Sequence, residues 1–134
     1  MIINTTRKAI DEFTLGYIYS ALWEIKADYD LSDIYPLYLK RVIEDCREFQ
    51  DENKDLLSEF YAFSQKNKHL NEQHRISPEH LGNDYWLVRN GNDYEFIKRA
   101  PPELAQKFYI AASKKGRQKL IMEGDTLKFV LDAA

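Results

Sequence analysis

Tyr85-Trp86-Leu87-Val88-Arg89-Asn90-Gly91-Asn92-Asp93-Tyr94-Glu95-Phe96-Ile97 decides the fold class. Tyr85–Val88 is rich in strand formers, and so is Tyr94–Ile97. Asn90-Gly91 between them is a strong hairpin signal, because both residues tolerate the positive φ of a tight turn. Residues 120–122 and 127–130 repeat the pattern around Glu123-Gly124-Asp125-Thr126. Two hairpins imply an antiparallel sheet, which excludes a doubly wound parallel one.

Helices fill the rest. Thr5 or Thr6 can cap a first helix whose apolar positions are Ile10, Phe13, Tyr17 and Ala21, ending near residues 23–27. Gly16 lies inside it, which costs stability and permits close approach by another element. Residues 28–36 form a loop, and Pro36 suits the first turn of the next helix. That second helix carries Leu39, Val42, Ile43, Cys46, Phe49, Leu56, Leu57, Phe60 and Phe63 on one side. It spans 36–65, with a break expected, if anywhere, at 51–53. Residues 65–79 read as an exposed polar linker, and Ser77-Pro78-Glu79 as one helical turn stopped by Gly82. A third helix opens at Pro101-Pro102-Glu103, carries Leu104 and Phe108, and stops at Gly116. The expectation is one α+β domain over residues 1–134: two N-terminal helices, the second long, then hairpin, helix and hairpin.

Composition excludes several functions. The chain has 134 residues, 44% hydrophobic and 31% charged, which suits a globular domain with its own core. The single cysteine, Cys46, allows no internal disulfide, and it lies on the apolar stripe of the second helix. No signal core opens the sequence, and the longest apolar run, 13–23, is too short to span a bilayer. A cytoplasmic protein is expected. His69, His74 and His80 do not share a helix face, so no metal is expected. No phosphate-binding glycine loop occurs, and no cofactor is expected.

Charge is uneven. Residues 1–65 carry 7 basic and 13 acidic side chains, and residues 66–134 carry 12 basic and 9 acidic. Glu44, Glu48, Asp51, Glu52, Asp55 and Glu59 form an acidic stripe opposite the apolar face of the second helix. Like charges four apart repel, and Arg41–Asp45 and Arg47–Asp51 offset only part of this. Tyr29, Tyr35 and Tyr38 alternate with Asp28, Asp30 and Asp33, a composition suited to an interface. Stripe and tyrosines together suggest a patch for a basic partner. Lys98, Arg99, Lys114, Lys115, Arg117 and Lys119 form a basic cluster that offers the alternative, contact with nucleic acid. A third, weaker reading places a small hydrolase at Asp84, Arg89, Asn90, Asn92, Asp93 and Glu95.

Three stretches, with the late Gly124-Asp125, carry a resemblance: Phe13-Thr14-Leu15-Gly16-Tyr17 with Ala21-Leu22-Trp23; Asp45-Cys46-Arg47-Glu48-Phe49-Gln50-Asp51-Glu52-Asn53; and Asn83-Asp84-Tyr85-Trp86-Leu87-Val88-Arg89-Asn90-Gly91. In this order the chain resembles a family of small uncharacterised proteins of tailed bacteriophages. It departs from that pattern in the extra 65–79 linker and in Asn92-Asp93-Tyr94, where relatives have a histidine and glycines. The resemblance implies phage origin and no particular chemistry. Together with the acidic patch it suggests a non-enzymatic accessory protein, monomer or homodimer, in the host cytoplasm. Such a protein would bind a host protein, for example a nuclease or defence complex, as anti-CRISPR or anti-restriction proteins do.

Overall fold

A computed structural model describes residues 10–25, 28–91 and 100–131. Helix α1 spans Glu12–Ile25, α2 Pro36–Glu52, α3 Lys54–Asn67, α4 Pro78–Arg89 and α5 Pro102–Ser113. Strands β1 (Gln118–Glu123) and β2 (Thr126–Leu131) close the chain, and single 3-10 turns lie at Leu31–Asp33 and Glu72–His74. The protein thus mixes helix and strand, and its described sheet is one antiparallel hairpin. Its register pairs Leu120 with Phe129 and Met122 with Leu127. Gly124, at φ 63°, makes the turn. Beyond the hairpin, the Tyr35 N–H donates to Leu127 O at 3.0 Å, which ties the loop before α2 to β2.

The 85–97 stretch corrects the expectation. Tyr85–Val88 is the second half of α4, not a strand. The local start signal explains it. Ser77 Oγ accepts from His80 N–H, and His80 Nδ1 accepts from Ser77 N–H, both at 3.2 Å, with Pro78 following. Once started, the helix continues because Leu81, Gly82, Tyr85, Trp86, Val88 and Arg89 all turn inward. Burial of that face outweighs the β-propensity of the sequence. Gly82 is therefore not a helix stop. Asn90-Gly91 is the stop: Gly91 takes φ 86° and its N–H donates to Val88 O at 3.1 Å. The partner strand expected at 94–97 lies outside the described residues, as do Thr5 and Thr6.

The long second helix breaks at Asn53, inside the expected window. Asn53 sits at φ −119°, ψ 27°, and its Nδ2 caps Phe49 O at 2.8 Å. Helix α3 then runs two residues past Gln65. The side chains of residues 68–72 are exposed, and Ile76 anchors the stretch, buried with its N–H on Ser64 Oγ at 2.8 Å.

The core is aromatic. Phe49 stacks on Tyr85 at 4.0 Å, and Tyr17 packs on Tyr85 at 5.0 Å and edge-on to Trp86 at 5.3 Å. Phe13, Phe60, Phe108 and Phe129 surround them, so every helix and β2 contribute a ring or an aliphatic side chain. Helices α1 and α4 pack most tightly. They do so at two glycines: a Cβ on Gly16 would lie 2.1 Å from Glu79 O, and one on Gly82 would lie 1.8 Å from Phe13 O.

Asp11 starts α1. Its Oδ1 accepts from Thr14 N–H at 2.8 Å and its Oδ2 from Gln50 Nε2 at 3.1 Å, which also ties α1 to α2. Burial pushes its carboxyl up. The Thr14 and Gln50 hydrogen bonds and the charge of Arg47 outweigh that and hold it below its usual value. A depressed carboxylate stabilises the fold above its unfolded pKa, and the contribution disappears as pH falls through the folded pKa. Asp11→Ala should therefore lower stability by about 1 kcal/mol at neutral pH. The difference from the parent should shrink below about pH 4. Urea titrations at several pH values check this, and a deficit that persists undiminished in acid contradicts it.

Candidate functional site

The acidic stripe and the basic cluster, 63 and 67 residues apart in sequence, meet in space. Lys115 Nζ donates to Glu52 Oε1 at 2.6 Å and to Glu48 Oε1 at 3.3 Å. The Glu52 carboxylate, accepting this hydrogen bond, holds the Lys115 ammonium above its ordinary pKa. Lys115 sits just past the end of α5, over the last two turns of α2. Glu44, Asp51, Asp55 and Glu59 remain exposed and form no ion pair with a described residue. Of the basic cluster, Lys114, Arg117 and Lys119 are exposed, and Lys98 and Arg99 lie outside the described residues.

The expected i,i+4 offsets do not form. Asp45 turns inward to Arg89 Nη1 at 2.9 Å, while Arg47 acts on Asp11. Arg41 lies over the Tyr38 ring at 5.5 Å, and Lys128 lies near the same ring at 5.4 Å. Tyr35 pairs with Tyr38 at 6.1 Å. The three expected tyrosines divide: Tyr35 is 46% exposed, whereas Tyr29 and Tyr38 are half-buried against the core.

The 84–91 cluster expected at a hairpin end is instead the interior face of α4. Arg89 is buried, and each of its three guanidinium nitrogens donates a hydrogen bond. Nε donates to Gly116 O at 2.6 Å and Nη2 to Lys115 O at 2.9 Å. Nη1 donates to Asp45 Oδ2 and, at 3.0 and 3.3 Å, to the Tyr17 and Tyr85 hydroxyls. The Tyr17 hydroxyl in turn donates a hydrogen bond to Gln118 Oε1. Burial pushes both phenols well above their ordinary pKa, and the neighbouring guanidinium offsets only part of it. All three nitrogens of this buried guanidinium are thus held by groups of the fold itself. Arg89 is a clamp that joins α4, α2 and the turn from α5 into β1. Asn90 reinforces it by accepting from Gln118 N–H at 2.9 Å. Asn92, Asp93 and Glu95 lie outside the described residues.

Cys46 is fully buried, and burial, with Asp45 beside it, pushes its thiol well above the usual value. It packs as a small apolar residue. His74 packs edge-on against Phe63 at 5.0 Å, His80 caps α4, and His69 is exposed.

One feature was not visible from the sequence motifs. A groove of about 670 Å³ runs between α1 and α4, lined by Tyr19, Ser20, Trp23 and Glu24 on one side and Glu79, His80, Asn83 and Leu87 on the other. Trp23 is 82% exposed. Ser20 Oγ reaches Gly16 O at 2.9 Å and also Asn83 Oδ1, which joins the two walls.

No known protein family, curated protein or solved structure matches the chain. Among the described residues no helix is long and apolar enough to cross a membrane.

Proposed function

We propose that this is a small non-enzymatic accessory protein of the phage type that acts by binding a basic surface on another protein. A host nuclease or defence complex is the partner class that fits. One observation carries the reading. Carboxylates that serve the fold are engaged: Asp45 with Arg89, Asp11 with Thr14 and Gln50, and Glu48 and Glu52 with Lys115. Glu44, Asp51, Asp55 and Glu59 are on the same pair of helices and pair with no described cation. Their mutual repulsion brings no internal gain. A complementary partner recovers it and is drawn in by the field. Tyr35, at the start of α2, is an exposed amphipathic ring of the kind interfaces use.

The test uses the carboxylates that Lys115 does not hold. Glu44→Lys, Asp51→Lys and Asp55→Lys combined should leave the circular dichroism spectrum unchanged. Like charges opposed across an interface cost several kcal/mol, so capture of a partner from host lysate should weaken by about a hundredfold. Undiminished capture defeats the proposal. Capture that nuclease treatment abolishes points instead to nucleic acid and to Lys114, Arg117 and Lys119.

A further inference from the structure

The groove between α1 and α4 is separate from the acidic face and has its own chemistry. Most large apolar side chains of this protein are buried, yet Trp23 stands 82% exposed at the groove wall. The other tryptophan, Trp86, is 2% exposed and belongs to the core. Glu24 follows Trp23 on α1, and Glu79, exposed in the first turn of α4, also lines the groove. No lysine or arginine lines the groove among the described residues. Asn83 Oδ1, oriented by Ser20, adds a neutral acceptor. An indole is the best face for a cation, and carboxylates accept the planar fork of a guanidinium in bidentate fashion.

We propose that this groove binds an arginine side chain of a basic peptide, stacked on Trp23 and held by the carboxylates of Glu24 and Glu79. The volume lies within the usual ligand-site range of about 300–1,000 Å³, so residues flanking the arginine also fit. The walls hold their shape because Gly16 and Gly82 let the two helix backbones touch directly beneath them. The site stands on α1 and α4 alone and does not rest on the acidic face of α2 and α3.

The full chain is titrated with acetyl-Gly-Arg-Gly-amide and with the same tripeptide carrying citrulline, the neutral isostere of arginine. Trp23 emission reports binding, since buried Trp86 stays constant. The arginine peptide should give a saturable change that salt weakens. Citrulline, and Glu24→Gln with Glu79→Gln, should each weaken binding by about tenfold or more. Trp23→Leu should remove the emission change and weaken the binding heat in calorimetry. The triple lysine variant of the acidic face should bind as the parent does. Equal affinity for citrulline, or an unchanged affinity in the double glutamine variant, overturns the proposal. So does saturation by a cello-oligosaccharide with the arginine peptide inert, or a Trp23-dependent dimer in sedimentation, which would place a second copy in the groove.

Discussion

Gly82→Ala should destabilise the protein by about 3 kcal/mol or more, a large share of the roughly 5–15 kcal/mol that holds a domain together. The sign is the informative part. Glycine inside a helix normally costs about 1 kcal/mol relative to alanine, so propensity alone predicts a gain. Here the added Cβ would lie 1.8 Å from Phe13 O and 2.7 Å from Phe13 C. Those are backbone atoms of α1, and no rotamer change removes them. Either α1 shifts away from α4 or α4 bends. Both moves disturb Phe13, Tyr17, Tyr85 and Trp86, which interlock across the same crossing. Gly16→Ala meets Glu79 O at 2.1 Å on the other side of the contact and should behave alike. Since the two residues share one crossing, the double variant should cost less than the sum of the singles: the first substitution already opens the gap. Urea unfolding followed by far-ultraviolet circular dichroism measures all three. A midpoint at or above the parent's for either single variant would show that the helices do not touch through these glycines.

The same glycines show which parts of the fold the sequence makes legible. Gly16 announces itself, because a glycine in the run Phe13–Trp23 otherwise only weakens the helix. Gly82 does not, because Pro78-Glu79-His80-Leu81-Gly82 has the outline of a short turn with its terminator. Local signals serve well where local physics decides. The Glu123–Thr126 turn, the proline start of α5 and the inward positions of α1 all appear where spacing and turn chemistry place them. Tyr85–Val88 fails because its strand propensity is a statement about packing surfaces, and α4 provides a better one. The site is less legible still. The lysine that neutralises Glu48 and Glu52 is more than sixty residues away, and nothing in either stretch refers to the other. Trp23 could have been suspected: it lies two residues beyond Ala21 and so off the stripe of Ile10, Phe13, Tyr17 and Ala21. An aromatic turned away from the core of its own helix needs another reason to be there.

Arg89 is the least legible residue of all, and removing it has the second large effect. Its acceptors lie 44 residues away in Asp45 and 26 and 27 residues away at the carbonyls of Lys115 and Gly116. Arg89→Met keeps most of the volume and removes every donor. It leaves a partly buried carboxylate, two backbone carbonyls and two phenols without their shared partner. Breaking a buried pair by deleting one member costs about 3–5 kcal/mol, and that range is expected here. Arg89→Lys keeps the charge, yet an ammonium at one point cannot span a carboxylate and two carbonyls at once. It should recover only part of the loss. Asp45→Leu in the methionine background removes the stranded carboxylate, so Arg89→Met with Asp45→Leu should be more stable than Arg89→Met alone. A cycle of the four proteins in urea separates the pair's coupling from the contribution of the carbonyls. The carbonyl contacts also set the position of Lys115 over α2. If Arg89 is the clamp, its loss releases the turn after α5, and Glu48 and Glu52 lose their cation along with it. Arg89→Met should then raise proteolytic cleavage after Lys114 and Lys115 before global unfolding sets in, whereas Arg89→Lys should raise it less. Parent-like resistance at those two lysines, together with a stability loss below about 1 kcal/mol, would mean that the guanidinium only fills space.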